Sequence, residues 1–159
     1  MSSNELLGVY LNDHLAGSAA GIELAEKLRD NNQGTELGNT MAALHRDIEQ
    51  DRATLEELMA RLEVERHPVK EAAGWLLERL SRLRLNPAVT GSADLTRLLE
   101  TEALSLGIDG KLAMWLVLKE AADRRLDGTD FDRLIERARG QRRTLEPHRV
   151  AAGQRAFSS

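Results

Sequence analysis

The sequence predicts an all-α protein, folded as a single helical-bundle domain over residues 1–159. Composition is the first indication, because leucine and alanine dominate and aromatic residues make up only 3% of the chain, which favours helix over sheet. Periodicity is the second, since apolar residues recur every 3.6 positions in four long segments. The three prolines leave room for long uninterrupted helices, and no segment alternates as a strand would.

Two long helices joined by a short turn are predicted in the first part of the chain. The first runs from about Asn4, a candidate N-cap, to Arg29. Residues 30–34 contain aspartate, asparagine and glycine, which is typical of a turn. The second helix runs from about Thr35 to Glu63. Because the turn is short, we expect the two helices to form an antiparallel pair.

A second hairpin is predicted after an intervening segment. Proline at a first helical position predicts a short crossover helix over 68–83, and residues 86–92 are typical of a loop. The third long helix covers about 93–125, and after a tight turn the fourth covers about 130–157, with a kink at Pro147. The third helix is apolar on two sides, so either the short helix or a dimer partner must cover the second side.

Polar side chains interrupt the apolar stripes of all four long helices. Burying a charge without a partner is costly, so these side chains are expected to meet each other, a metal ion or a ligand. The residues are His14, Asp51, Glu102, Asp109, Arg142 and Arg149.

Helix register predicts which of these residues meet. Residues equally far from the turn of an antiparallel hairpin lie at the same level, which places His14 opposite Asp51. The same argument brings Glu102 and Asp109 of the third helix to within about one turn of the two arginines of the fourth. The pattern predicts either buried ion pairs that define the register, or a polar pocket inside the bundle.

Two helical hairpins joined by a long crossover resemble the ferritin-like superfamily of rubrerythrins, bacterioferritins and di-iron carboxylate oxidases. The resemblance covers nearly the whole chain and rests on architecture. It implies a ferritin-like four-helix bundle with an additional short crossover helix. It also implies a di-iron site with a glutamate on the first and third helices and Glu-x-x-His on the second and fourth, since oxygen and imidazole ligands suit iron or manganese.

The chain departs from that ligand pattern. The first helix offers Asp13 or His14 where a glutamate is expected, and the fourth offers only Glu146-Pro147-His148. Arg142 and Arg149 lie at positions where ligands are expected, and a guanidinium cannot bind a cation. The residues left for a divergent iron or manganese site are His14, Asp51, Glu102 and His148.

The two arginines favour a non-catalytic bundle that has no cofactor. Such a bundle would act by binding a protein partner or by associating with a second copy of itself as a dimer. One alternative is a divergent iron or manganese protein with oxidase or iron-handling chemistry. The other is a small anionic ligand held by Arg142 and Arg149, with His14 as proton donor. Whether the protein is an enzyme stays open.

Bulk properties exclude several classes of protein. The formal charge of −4 argues against a surface built for nucleic acid, although residues 133–155 contain seven arginines. The lack of cysteine excludes disulfides, thiolate metal sites and a cysteine nucleophile. No signal peptide or membrane-spanning run is apparent. We therefore expect a cytoplasmic protein that binds neither membranes nor nucleic acid.

Overall fold

The computed structural model describes residues 1–68, 78, 81, 87 and 91–158. Within these ranges it contains four long α-helices, one 3-10 turn and no strand, which confirms the all-α class. The predicted short helix over 68–83 and the loop over 86–92 lie largely outside the described residues. The four helices are α1 (Ser3–Asn31), α2 (Glu36–Arg61), α3 (Ala93–Ala121) and α4 (Phe131–Phe157).

Helix α1 begins earlier than predicted, because Ser2 and not Asn4 is its N-cap. The Ser2 hydroxyl accepts a hydrogen bond from the Glu5 backbone N–H at 3.2 Å, and the Glu5 carboxylate accepts one from the Ser2 backbone N–H at 2.5 Å. This reciprocal pair satisfies two backbone donors that the first turn would otherwise leave free.

The turns and the end of α3 are set by residues with positive φ. Gly34 and Gly128 have φ values of 76° and 85° in the two predicted turns, a conformation that glycine adopts without steric cost. Helix α3 ends at Ala121 and not at Arg125, because Ala122 has left-handed backbone angles, with φ 48°.

Contacts between helices determine their directions. Helices α1 and α2 pack as one hairpin, and α3 and α4 as another. Lys27 near the end of α1 pairs with Glu100 near the start of α3. Leu11 near the start of α1 shares an apolar cluster with Leu118 near the end of α3. The four helices therefore run up, down, down and up, and α3 begins at the end of the bundle opposite to the one where α2 ends.

The core consists of two apolar clusters stacked along the bundle. One contains Leu28 and Met41, near the turn between α1 and α2. The other contains Met59 and Trp115, near the turn between α3 and α4. All four side chains are at most 1% exposed. None of the described helices has an apolar stretch long enough to cross a lipid bilayer.

Candidate functional site

Asp51 is the centre of a buried polar cluster at the middle of the bundle. Its Oδ2 accepts hydrogen bonds from Lys111 Nζ at 2.5 Å and from Gln141 Nε2 at 3.2 Å. Its Oδ1 accepts a hydrogen bond from Arg137 Nη2. Lys111 Nζ also donates to Gln141 Oε1 at 2.5 Å. We call these four residues the polar cluster; it joins α2, α3 and α4.

The polar cluster lies between the two apolar clusters, so its charges are poorly hydrated. Asp51 is 3% exposed, and the Lys111 side chain is 14% exposed. Burial lowers the pKa of Lys111, and the adjacent Asp51 carboxylate opposes this change by stabilising the ammonium. The charged side chains of the polar cluster therefore depend on their ion pairs with each other far more than charged side chains at the surface do.

A cavity of about 310 Å³ lies beside the polar cluster, between α1, α2 and α3. Its wall is mainly apolar. Gly17 and Leu106 line the cavity and are also exposed to solvent, so the cavity opens to solvent between α1 and α3. The charged and imidazole side chains on its wall are Asp13, His14, Asp51, Arg52 and Lys111.

Glycines form much of the wall on both α1 and α3. We call them the wall glycines: Gly17, Gly21, Gly107 and Gly110. The Lys27–Glu100 pair defines the register of the antiparallel helices α1 and α3. Gly17 lies ten residues from Lys27, and Gly110 lies ten residues from Glu100 in the same direction along the bundle. The two glycines are therefore at the same level. A Cβ at Gly17, Gly107 or Gly110 would meet no described atom within 4 Å. These three glycines therefore leave space rather than permit close helix packing, while a Cβ at Gly21 would contact Ile48 Cγ2 at 3.9 Å.

Replacing Gly107 by alanine is expected to raise the free energy of unfolding by about 0.5–1 kcal/mol. Glycine inside a helix is less favourable than alanine by that amount, and the added methyl group finds open space among the described residues. Urea unfolding measures the change. Gly140→Ala is the matched control on α4, where the new Cβ would meet only the end of Arg143 at 3.8 Å. A loss of stability confined to Gly107→Ala would show that this position is packed.

His14 lies on the cavity wall, but the expected contact with Asp51 is not formed among the described hydrogen bonds. Asp51 is bound instead by Lys111 and Arg137, which reach it from α3 and α4. The His14 ring packs edge-on against Tyr10, with centroids 4.7 Å apart. Burial lowers the pKa of His14, and the nearby Asp13 opposes this change, so the environment favours the neutral imidazole.

The two acid–arginine pairs predicted between the third and fourth helices are formed, but close to the surface. Arg142 Nε donates to Asp109 at 2.9 Å, and Arg149 Nη1 donates to Glu102 at 3.0 Å. The acids are 50% and 40% exposed and the arginines 28% and 29%. The prediction that these four residues lie in a buried core is wrong, because the buried face of α4 passes through Gln141 and turns its neighbour Arg142 outward.

The structure does not bring together the four predicted metal ligands, which are His14, Asp51, Glu102 and His148. Arg137 and Gln141 are the α4 residues that contact Asp51, and His148 lies seven residues beyond Gln141, roughly 10 Å along the helix axis. His148 Nε2 is 3.0 Å from Thr40 Oγ1, while Glu102 is held by Arg149. Over the described ranges no three histidine or acidic side chains form a group that could hold a metal ion.

The predicted anion site of Arg142, Arg149 and His14 is not assembled either. Both arginines bind Glu146 on their own helix as well as an acid of α3. The hydrogen bonds from Arg149 lower the pKa of Glu146 to about 2, so that carboxylate stays ionised. Neither arginine is among the described residues that line the cavity beside His14.

Sequence reasoning missed Lys111 and Arg137 as members of the site. For Lys111 a signal was present, because position 111 continues the helical spacing of the buried α3 stripe. That stripe consists of Leu104, Ile108, Trp115 and Leu118. Arg137 gives no comparable signal, since it lies at the edge of the α4 stripe and only its long side chain reaches Asp51.

Comparison of the chain with protein-family models, with curated proteins and with solved structures gives no match. A mainly apolar cavity with an ammonium and an imidazole on its wall can enclose a small molecule and orient it by hydrogen bonds.

Proposed function

We propose that this protein binds a small, largely apolar molecule in the cavity between α1, α2 and α3. The observation that carries the proposal is the set of wall glycines, which lie within two continuous helices around one space. Each glycine inside a helix costs roughly 0.5–1 kcal/mol relative to alanine. Four of them cost roughly 2–4 kcal/mol, a large part of the 5–15 kcal/mol by which a typical domain is stable. Such a cost, concentrated around one cavity, supports a binding role.

The size of the cavity indicates the size of the ligand. Its volume of about 310 Å³ is roughly twice that of the engineered apolar cavity of about 150 Å³ that stays dry and binds benzene. It also lies at the lower end of the range of about 300–1,000 Å³ for ligand pockets. We propose a ligand of about ten non-hydrogen atoms.

We propose in addition that the bundle is ferritin-like, an assignment supported by the up, down, down and up order of α1 to α4. Two cations, Lys111 and Arg137, contact the carboxylate of Asp51 at the middle of the bundle. A bound metal cation would be repelled by both. This charge arrangement supports an organic ligand over iron or manganese at that level.

The test compares the binding of 1-octanol, a neutral apolar probe, to the unmodified protein and to Gly17→Leu/Gly110→Leu. We expect the unmodified protein to bind 1-octanol and the double variant to bind it at least about tenfold more weakly, because two leucine side chains occupy the cavity. Isothermal titration calorimetry measures both affinities, and circular dichroism confirms that the variant folds.

Gly140→Leu is the control for the double variant, since position 140 lies on α4 and Gly140 is not among the described residues that line the cavity. It should bind 1-octanol as the unmodified protein does. Equal binding by the unmodified protein and the double variant would overturn the proposal, as would the absence of binding to the unmodified protein.

Self-association is the second candidate, and the exposed apolar side chains of α3 favour it. Leu106, Leu116 and Val117 are 47%, 38% and 52% exposed. A second copy that covered them would remove apolar area from water, at roughly 25 cal/mol per Å². These residues belong to α3, whose second apolar side the sequence predicts to be covered by the short helix or by a dimer partner. The dimer stays a prediction.

A further inference from the structure

We infer that the ligand of the cavity carries a carboxylate that binds Lys111. The inference rests on the proposed binding function and names the chemical class of the ligand. Three features of the described residues support it: a buried donor without an acceptor, an incompletely used ammonium, and the balance of charge at the inner wall.

A buried donor without a partner belongs to a residue of the cavity wall. In the described part of the chain, two buried side-chain polar atoms have no hydrogen-bond partner, Trp115 Nε1 and Arg137 Nε. Both are N–H donors. Trp115 lines the cavity and is 0% exposed, whereas Arg137 is not among the described residues that line it. Because buried polar groups are normally paired, the unpaired Trp115 donor favours a ligand that accepts hydrogen bonds.

Lys111 has donor capacity that the polar cluster does not use. Its ammonium has three N–H donors, and Asp51 Oδ2 and Gln141 Oε1 take two of them. Since Lys111 lines the cavity, the third donor is available to a ligand oxygen there. The imidazole of His14, on the same wall, offers a second hydrogen bond from α1.

The charges that face Lys111 favour an anion. The single carboxylate of Asp51 is shared by Lys111 and Arg137, so the direct ion pairs leave one positive charge in excess. Asp47 raises the pKa of Lys111 only through the electrostatic effect of its charge. Asp13 is exposed, where water and salt screen it, and Arg52 is already paired with an acid of its own helix. A ligand carboxylate would complete the pairing of the buried cations.

The test uses three probes with the same eight-carbon chain: octanoate, 1-octanol and octylamine. Calorimetric titration of the unmodified protein at pH 7 should show octanoate binding at least about tenfold more tightly than 1-octanol, with octylamine weakest. Lys111→Met should weaken octanoate binding by roughly 10–100-fold and change 1-octanol binding by less than about threefold.

Lys119→Met is the matched control, because Lys119 is an exposed lysine of the same helix, paired with Asp132. It should leave all three affinities unchanged. Equal affinities for octanoate and 1-octanol, or octanoate binding unaffected by Lys111→Met, would overturn this inference and leave the proposed function standing. Absence of binding by all three probes would overturn both. If Lys111→Met does not fold, the order of the three affinities on the unmodified protein decides the question.

Discussion

Asp51→Asn is expected to lower the free energy of unfolding by about 3 kcal/mol. Asparagine keeps the size of the side chain but removes the anion that Lys111 and Arg137 share. Removing one partner of a buried ion pair costs roughly 3–5 kcal/mol, because the remaining charge is left uncompensated. We expect the lower end of this range, since the Arg137 side chain is 21% exposed and can regain some hydration. Urea unfolding at pH 7, followed by circular dichroism, measures the change.

Asp109→Asn is the matched control, because Asp109 also pairs with an arginine but is 50% exposed. Its free energy of unfolding should change by less than about 1 kcal/mol. A second comparison replaces Asp51, Lys111 and Arg137 together by leucine and two methionines. This triple variant should recover much of the stability that Asp51→Asn loses, since apolar residues can replace a buried ionic group. A loss of under about 1 kcal/mol in Asp51→Asn would contradict the central role given to this carboxylate.

Gly38→Ala is expected to lower the free energy of unfolding by about 2 kcal/mol, within the usual range for an overpacked site. A Cβ at position 38 would lie 2.1 Å from the backbone oxygen of Asn32 and 2.8 Å from its carbonyl carbon. These atoms belong to the turn between α1 and α2, which must open to make room. The same shift would disturb the N-cap of α2, where the Gly38 N–H donates to Thr35 Oγ1 at 3.1 Å.

Urea unfolding of Gly38→Ala and Gly107→Ala side by side checks this expectation. Both substitutions add one methyl group to a glycine inside a helix, but the methyl group meets backbone at position 38 and open space at position 107. We therefore expect changes in stability of opposite sign. A gain in stability for Gly38→Ala would show that the turn between α1 and α2 adjusts without cost.

The helices and turns could be predicted from the sequence because their causes are local. A 3.6-residue apolar period identifies a helix wherever its partner lies. Glycines at positions 34 and 128 permit the positive φ that the two turns require. Register within a hairpin follows from a short turn, which is why the Asp109–Arg142 and Glu102–Arg149 pairs were predicted with the correct partners.

The site could be predicted only in part, because its composition depends on how the helices turn about their axes. Neighbouring positions on a helix point about 100° apart, so a small rotation buries Gln141 and exposes Arg142. The partners of Asp51 lie on α3 and α4, whereas register within the first hairpin relates only residues of α1 and α2.

The sequence by itself determined the all-α class, the long helices and their pairing into hairpins, since each follows from short-range periodicity and turn chemistry. Only the tertiary structure decided that Asp51 binds Lys111 and Arg137, and that Gly107 borders a cavity while Gly38 is packed against a turn. The physical reason is that burial and partner choice depend on the packing of four helices at once. The long side chains of Lys111 and Arg137 bridge between helices, and the apolar pattern of one helix does not indicate which residue of another helix they contact.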